Sequence, residues 1–156
     1  MPESRHHSEI SPMKCLAPAL AVSLLLLSNL STYAQNQSSS DDSSAVRATV
    51  TNYIEAYYTG DAARMERTLH PHYLKQMIHA DIPVRERTGA QMVQDVRANN
   101  AATLSEAQRS EQVIVLDISG SIASAKLVTP GWVDYMTLFK VDGHWKILSV
   151  VQRIDN

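Results

Sequence analysis

The chain has 156 residues, 19% of them charged, and a formal net charge of -2. That length suits one domain with a modest core, and the near-neutral balance excludes the basic footprint of a nucleic-acid binder. One cysteine, Cys15, excludes a disulfide framework within the chain.

From Met13 the sequence runs through Lys14, an apolar stretch from Cys15 to Leu27, and a small-x-small ending at Thr32-Tyr33-Ala34. This is the pattern of a secretory signal peptide with cleavage after Ala34, and it implies a secreted or periplasmic protein. The run is shorter than the roughly 20 apolar residues that span a bilayer, so an uncleaved anchor is the lesser alternative and no stable membrane insertion is expected after processing. The twelve residues before Met13 are polar, and Met13-Lys14 makes a more natural start than Met1. Residues 1–34 are therefore assigned to an over-extended leader. Cys15 leaves with it, so the mature domain carries no thiol.

Residues 35–44 are Gln, Asn, Ser and Asp without an apolar anchor and are expected to form a flexible linker, its last four residues offering N-caps. The domain then occupies 45–156. Val46, Val50, Tyr53, Ile54 and Tyr57 recur at helical spacing, predicting an amphipathic helix over 45–59. Gly60 suits the left-handed cap that ends it, and Asp61 suits the cap of the next helix. In that short second helix Ala62, Met65 and Leu69 share a face. Pro71 then pushes His70 out of helical geometry, and Tyr73, Leu74, Met77 and Ile78 predict one or two further helical turns.

Residues 80–87 are charged and contain Pro83, predicting an extended loop or a short strand. Thr88-Gly89-Ala90-Gln91 has the spacing of a capping box, and Met92, Val93 and Val96 mark a helix to about Arg97. A polar connector covers 101–110. The period then changes to two, with strands over 111–118 and 121–129 and turns at Gly120-Ser121 and Pro130-Gly131. Two β-branched and aromatic runs flank Asp142-Gly143, the strongest short-range signal of a hairpin. A two-residue turn there opposes Lys140 to Trp145, Leu138 to Ile147 and Met136 to Ser149. Both hairpin faces are rich in apolar residues. Helices first and antiparallel strands last make an α+β pattern.

The segments Tyr57-Tyr58-Thr59-Gly60-Asp61 and His70-Pro71, with the ending Asp134-Tyr135-Met136-Thr137-Leu138 and Asp142-Gly143-His144-Trp145-Lys146-Ile147, resemble the nuclear transport factor two-like superfamily. Within it the chain is most similar to the putative lumazine-binding proteins, over about residues 45–154. The resemblance implies a cone-shaped α+β fold, with N-terminal helices packed in a strongly bent antiparallel sheet around a pocket. It also implies a homodimer formed through the outer sheet face. Many relatives carry an acidic residue after His-Pro, where this chain has His72, so no role of that carboxylate carries over. The fold hosts both enzymes and inert binders, so function rests on the site.

His70, His72 and His79 lack the carboxylate spacing of a metal site, and no His-Glu-x-x-His pattern occurs, so neither metal nor cofactor is expected. His70 is expected to cap or pack at the helix end, and His72 to lie at the surface or pocket mouth. Asp117, Lys126 and Asp134 are the ionisable residues in strands. Asp134 shares a face with Trp132, Met136 and Leu138, where burial raises a carboxyl's pKa and suits it to act as a general base. Tyr57, Tyr58 or Tyr73 can supply a phenol to a developing oxyanion. Trp145 belongs to the core, whereas Tyr57 and Trp132 offer faces for a flat ligand. No phosphate loop or nucleophile elbow is present.

The favoured reading is a small-molecule-binding module for an apolar or flat heterocyclic ligand, with Tyr57, His72, Tyr73, Trp132 and Asp134 as its contacts. The alternative is an isomerase- or dehydratase-like enzyme with Asp134 as catalytic base. A third possibility is an interaction module whose cone is filled by side chains.

Overall fold

The structure, a computed structural model, describes residues 40–80, 82–98 and 104–154. The expected leader and the Met13 start lie outside the described residues. The first described helix, α1, covers residues 40–59, so residues 40–44 are helical instead of part of a linker. Asp42 accounts for this early start. Its Oδ1 accepts hydrogen bonds from Lys140 Nζ at 2.5 Å and from Trp145 Nε1 at 3.1 Å, fixing the first turn to the C-terminal hairpin. Those two donors hold the Asp42 carboxyl below its usual pKa. Gly60, with φ of 72°, ends α1 in the left-handed region as expected. Asp61 caps α2 (Ala62–Thr68), its Oδ1 accepting from the Arg64 N–H at 2.8 Å.

The largest departure from the sequence reading comes next. Residues expected to add helical turns form β1 (Leu69–His79), followed by β2 (Ile82–Thr88). Tyr73, Leu74, Met77 and Ile78 satisfy helical spacing, yet Tyr73, Lys75 and Met77 also satisfy period two. The residue before Pro71 is steered towards extended backbone, and pairing with two neighbouring strands then decides the competition. The capping box is present: Thr88 Oγ1 accepts from the Gln91 N–H and Gln91 Oε1 accepts from the Thr88 N–H, opening α3 (Gly89–Arg97). A 3-10 turn lies in the connector at Glu106–Arg109.

The remaining strands are β3 (Gln112–Ser119), β4 (Ile122–Val128), β5 (Trp132–Val141) and β6 (His144–Ile154). Together the strands form one six-stranded sheet in the order β2-β1-β6-β5-β4-β3. Its pairings are antiparallel except between β1 and β6, which run parallel, so the sheet is mixed. A parallel neighbour requires a long crossover, and here everything from β2 to β5 lies between the two strands.

Asp142 and Gly143 have φ of 49° and 78°, so both turn residues are left-handed and the turn has two residues. Lys140 opposes Trp145 and Leu138 opposes Ile147 as the sequence predicts. A register shift then places Thr137 opposite Ser149 and Met136 opposite Val150, because Leu148 is an extra residue in β6. Such bulges bend strands, and this one lets Ile147 and Val150 both face the helices while Val151 turns outward.

The inner sheet face, including Leu127, Met136, Leu138, Ile147 and Val150, packs on Val46, Val50, Ile54, Met65 and Val96 from the helices. Full burial of each such side chain contributes roughly 1.5–3 kcal/mol. The outer face keeps Leu74, Ile78, Leu116, Ile122, Tyr135 and Phe139 exposed. This is an α+β cone with helices inside the curl of the sheet.

Candidate functional site

Period two along β5 turns Trp132, Asp134, Met136 and Leu138 inward and Tyr135 and Phe139 outward. Asp134 is 0% exposed although it is an acid in an apolar layer. Its partner is Lys75 of β1, 4% exposed, whose Nζ lies 3.4 Å from Asp134 Oδ2. Lys75 Nζ also donates to the Tyr53 hydroxyl of α1 at 3.1 Å, and that hydroxyl lies 3.5 Å from the hydroxyl of Tyr73. A buried chain Tyr73–Tyr53–Lys75–Asp134 therefore joins β1, α1 and β5.

Asp134 Oδ1 has no hydrogen-bond partner among the described residues. The side chains of Gln152 and Trp132 lie close enough to favour the charged carboxylate, but neither meets Oδ1 with hydrogen-bond geometry. An unsatisfied buried oxygen costs free energy and calls for an explanation. Burial raises the Asp134 pKa from its ordinary value, with the Lys75 charge pulling against it. Burial also lowers the Lys75 pKa, opposed by Asp134. Tyr53 is raised well above its usual value by burial and the neighbouring Tyr73, and Tyr73 is raised chiefly by burial. The phenols therefore stay protonated and can donate.

These groups border a cavity of about 310 Å³, at the small end of the range for ligand pockets. Lys75, Asp134 and Gln152 give it a polar floor, and Ile54, Met77, Met92 and Ile154 give it apolar walls. Tyr57 and Trp132, edge to face with centroids 5.8 Å apart, form an aromatic corner. Burial and the charge of Asp95 raise the Tyr57 pKa. Arg85 and Arg87 from β2 and Asp95 from α3 form the charged side.

The structure brings Tyr57, Trp132 and Asp134 to one cavity and sets Tyr73 behind it through Tyr53. His72 does not line it: its ring is exposed and lies 5.6 Å from the ring of His70, which packs edge-on against Phe139 at 6.2 Å. Of the other strand ionisables, Asp117 is exposed, and Lys126 lies over the Tyr135 ring at 5.4 Å on the outer face. Tyr58 donates to the Ser110 carbonyl at 3.5 Å, away from the cavity, and burial pushes its pKa to about 12. Lys75, Gln152 and Arg85 were missed from the sequence. The signal for Lys75 was its place between Tyr73 and Met77 at period two.

The helices packed in the curled sheet define the class: this is a nuclear transport factor two-like fold. In structure the chain is similar to a protein of that type and of unknown function from Silicibacter pomeroyi, with a TM-score of 0.64, 20% identity, and coverage of 75% of this chain and 98% of that one. A second such protein, from Shewanella baltica, gives a TM-score of 0.58 at 17% identity, covering 74% and 95%. A putative dehydratase of the same fold family from Streptomyces avermitilis gives 0.50 at 16% identity, covering 75% and 98%. No curated protein matches the chain in sequence. The family model described as putative lumazine-binding matches residues 41–152, and the chain belongs to that family.

Proposed function

We propose that this protein is a small-molecule-binding module that holds a flat, largely apolar heterocycle in the cavity beside Asp134. The observation that carries this reading is the unpartnered Asp134 Oδ1 next to Lys75, at the back of a pocket with an aromatic corner. An ammonium has three donors, and Lys75 uses two of them on Asp134 and Tyr53. The third, beside the Asp134 acceptor, matches the adjacent C=O and N–H of a lactam. Oδ1 is covered, so the ligand's N–H reaches it by turning a neighbouring side chain aside. Tyr57 and Trp132 contact the ring face. The family description, which names a fused bicyclic lactam, supports the same chemistry.

Titrating lumazine while following tryptophan emission, with Trp132→Leu separating the Trp132 signal from that of Trp145, and melting temperature tests this reading. Quenching and a thermal shift are expected, both reduced in Asp134→Asn. Absence of both across a panel of mono- and bicyclic lactams refutes it.

The enzyme reading has one observation in its favour: Asp134 points inward, buried, with a raised pKa, as a general base requires. The putative dehydratase of the same fold lends it support. Its test is exchange of a carbon-bound proton next to a carbonyl into deuterated water. Exchange dependent on Asp134 supports it, and binding without exchange excludes it for that ligand.

Export belongs to the same proposal, supported by the apolar run from Cys15 to Leu27 and the small residues before Gln35. N-terminal sequencing of the extracytoplasmic protein should begin at Gln35. A homodimer through the outer sheet face is supported by the exposed Leu74, Tyr135, Phe139 and Val151.

A further inference from the structure

The charges that line the cavity do not balance. Lys75, Arg85 and Arg87 stand against Asp95 and Asp134. Arg87 is engaged, its Nε lying 3.0 Å from Asp95 Oδ2. Lys75 is engaged with Asp134, and that pair sums to zero whether the proton sits on nitrogen or on oxygen. Arg85 is left over. Among the described residues its side chain has neither a hydrogen bond nor an ion pair. Its neighbour Glu86 does not neutralise it, because alternation along β2 turns Glu86 to the opposite face, where it accepts from Gln76 Nε2 at 3.1 Å. Arg85 opposes Met77 across the β1–β2 ladder, and both line the cavity.

We propose that the ligand is a monoanion: a flat lactam carrying one carboxylate, which Arg85 receives at the cavity mouth while the ring edge meets Lys75 and Asp134. This rests on the binding reading above and adds to it the charge and polarity of the ligand. The two ends of the site are chemically unlike, which fixes orientation. The floor holds a net-neutral donor–acceptor pair, suited to a neutral lactam edge. The mouth presents one exposed guanidinium, whose planar fork matches a carboxylate. An anion buried against Asp134 meets repulsion, so the carboxylate faces outward.

Lumazine and the same ring bearing a carboxylate on its pyrazine side separate the two levels of the argument. The expected result is tighter binding of the carboxylated ring by about fivefold, as for a partly exposed ion pair, with the advantage shrinking as salt is added. Arg85→Gln should abolish that advantage, and Arg85→Lys should keep part of it. Arg85 is exposed, so these variants should melt with the parent protein. Equal affinity for the two rings, or an advantage that survives Arg85→Gln, overturns the monoanion inference and leaves the binding reading standing. Failure of both rings to bind overturns the inference together with the reading beneath it.

Discussion

Replacing Lys75 by Met removes the cation from a carboxylate that is 0% exposed. Stranding one member of a buried pair costs about 3–5 kcal/mol, most of it the desolvation of the remaining charge. Asp134 escapes that cost by taking a proton, so the loss must depend on pH. Its folded pKa already lies above the ordinary 3.8 because of burial, and without Lys75 it climbs further. A group whose folded pKa is raised contributes stability that is present below the unfolded pKa and lost as pH rises through the folded one. Lys75→Met should therefore weaken steadily from just above 3.8 up to that raised value.

The reverse single variant, Asp134→Leu, leaves Lys75 buried alone. The Lys75 pKa is already below 10.5, and stability linked to a lowered amine is lost as pH falls through its folded pKa. This variant should gain stability as pH rises, opposite in slope to Lys75→Met. The double variant, apolar on both sides, should lie within about 2 kcal/mol of the parent or above it. Urea unfolding at several pH values reads all four proteins, with unchanged m-values required for the comparison. Parallel pH slopes in the two single variants, or a double variant that merely sums their losses, would refute the account. A pair that contributes little net stability is held in place by what it does for the cavity.

Other expectations follow from local features. Thr88→Ala should cost about 1 kcal/mol by removing the Oγ1 that accepts from the Gln91 N–H, while the residue-88 N–H can still donate to Gln91 Oε1, read as a lower urea midpoint. Gly143→Val forces a β-branched residue to φ of 78° and should cost at least 1 kcal/mol, whereas Gly120→Ala, at φ of 59° with no atom near the added Cβ, carries the backbone strain alone. Tyr135→Glu, on an outer-face residue 52% exposed, should leave the melting temperature nearly unchanged. It should halve the mass seen by sedimentation if that face joins two copies, and an unchanged mass counts against the dimer. Trp132→Leu should weaken heterocycle binding about tenfold or less by removing one side of the aromatic corner, measured by calorimetry.

Local signals in the sequence located most of the elements. The Gly60-Asp61 junction, the Thr88 box and the Asp142-Gly143 turn are each set by neighbours within four residues, and each forms as expected. Tyr57, Trp132 and Asp134 were legible because inward alternation along β5 and helical spacing along α1 both point at the interior. Residues 69–79 were not legible, since Tyr73 and Met77 fit either period and only pairing with β2 and β6 decides. That miss concealed Lys75, because a lysine on a presumed helix has no reason to turn inward. The Leu148 bulge was equally invisible: it answers the curvature of the whole sheet. Arg85 was hidden for a related reason, lying in a segment whose face is defined only once β2 pairs with β1.

The place of β6 in the sheet has a consequence for how the molecule is made. It is the one strand joining β2-β1 to β5-β4-β3, and it follows them all in the chain. During synthesis the two portions can form hairpins, but neither can find the other until residues 144–154 have left the ribosome. The hold of Asp42 on Trp145 waits on the same event, across 103 positions. Such distant contacts slow folding, and until they close, two open sheet edges stay unpaired. Lys75, Asp134 and Gln152 come from strands on and beside this late bridge. The pocket is therefore assembled only once β6 has been made, and a chain stopped before β6 has two half-sheets and lacks the Gln152 and Ile154 that line the cavity.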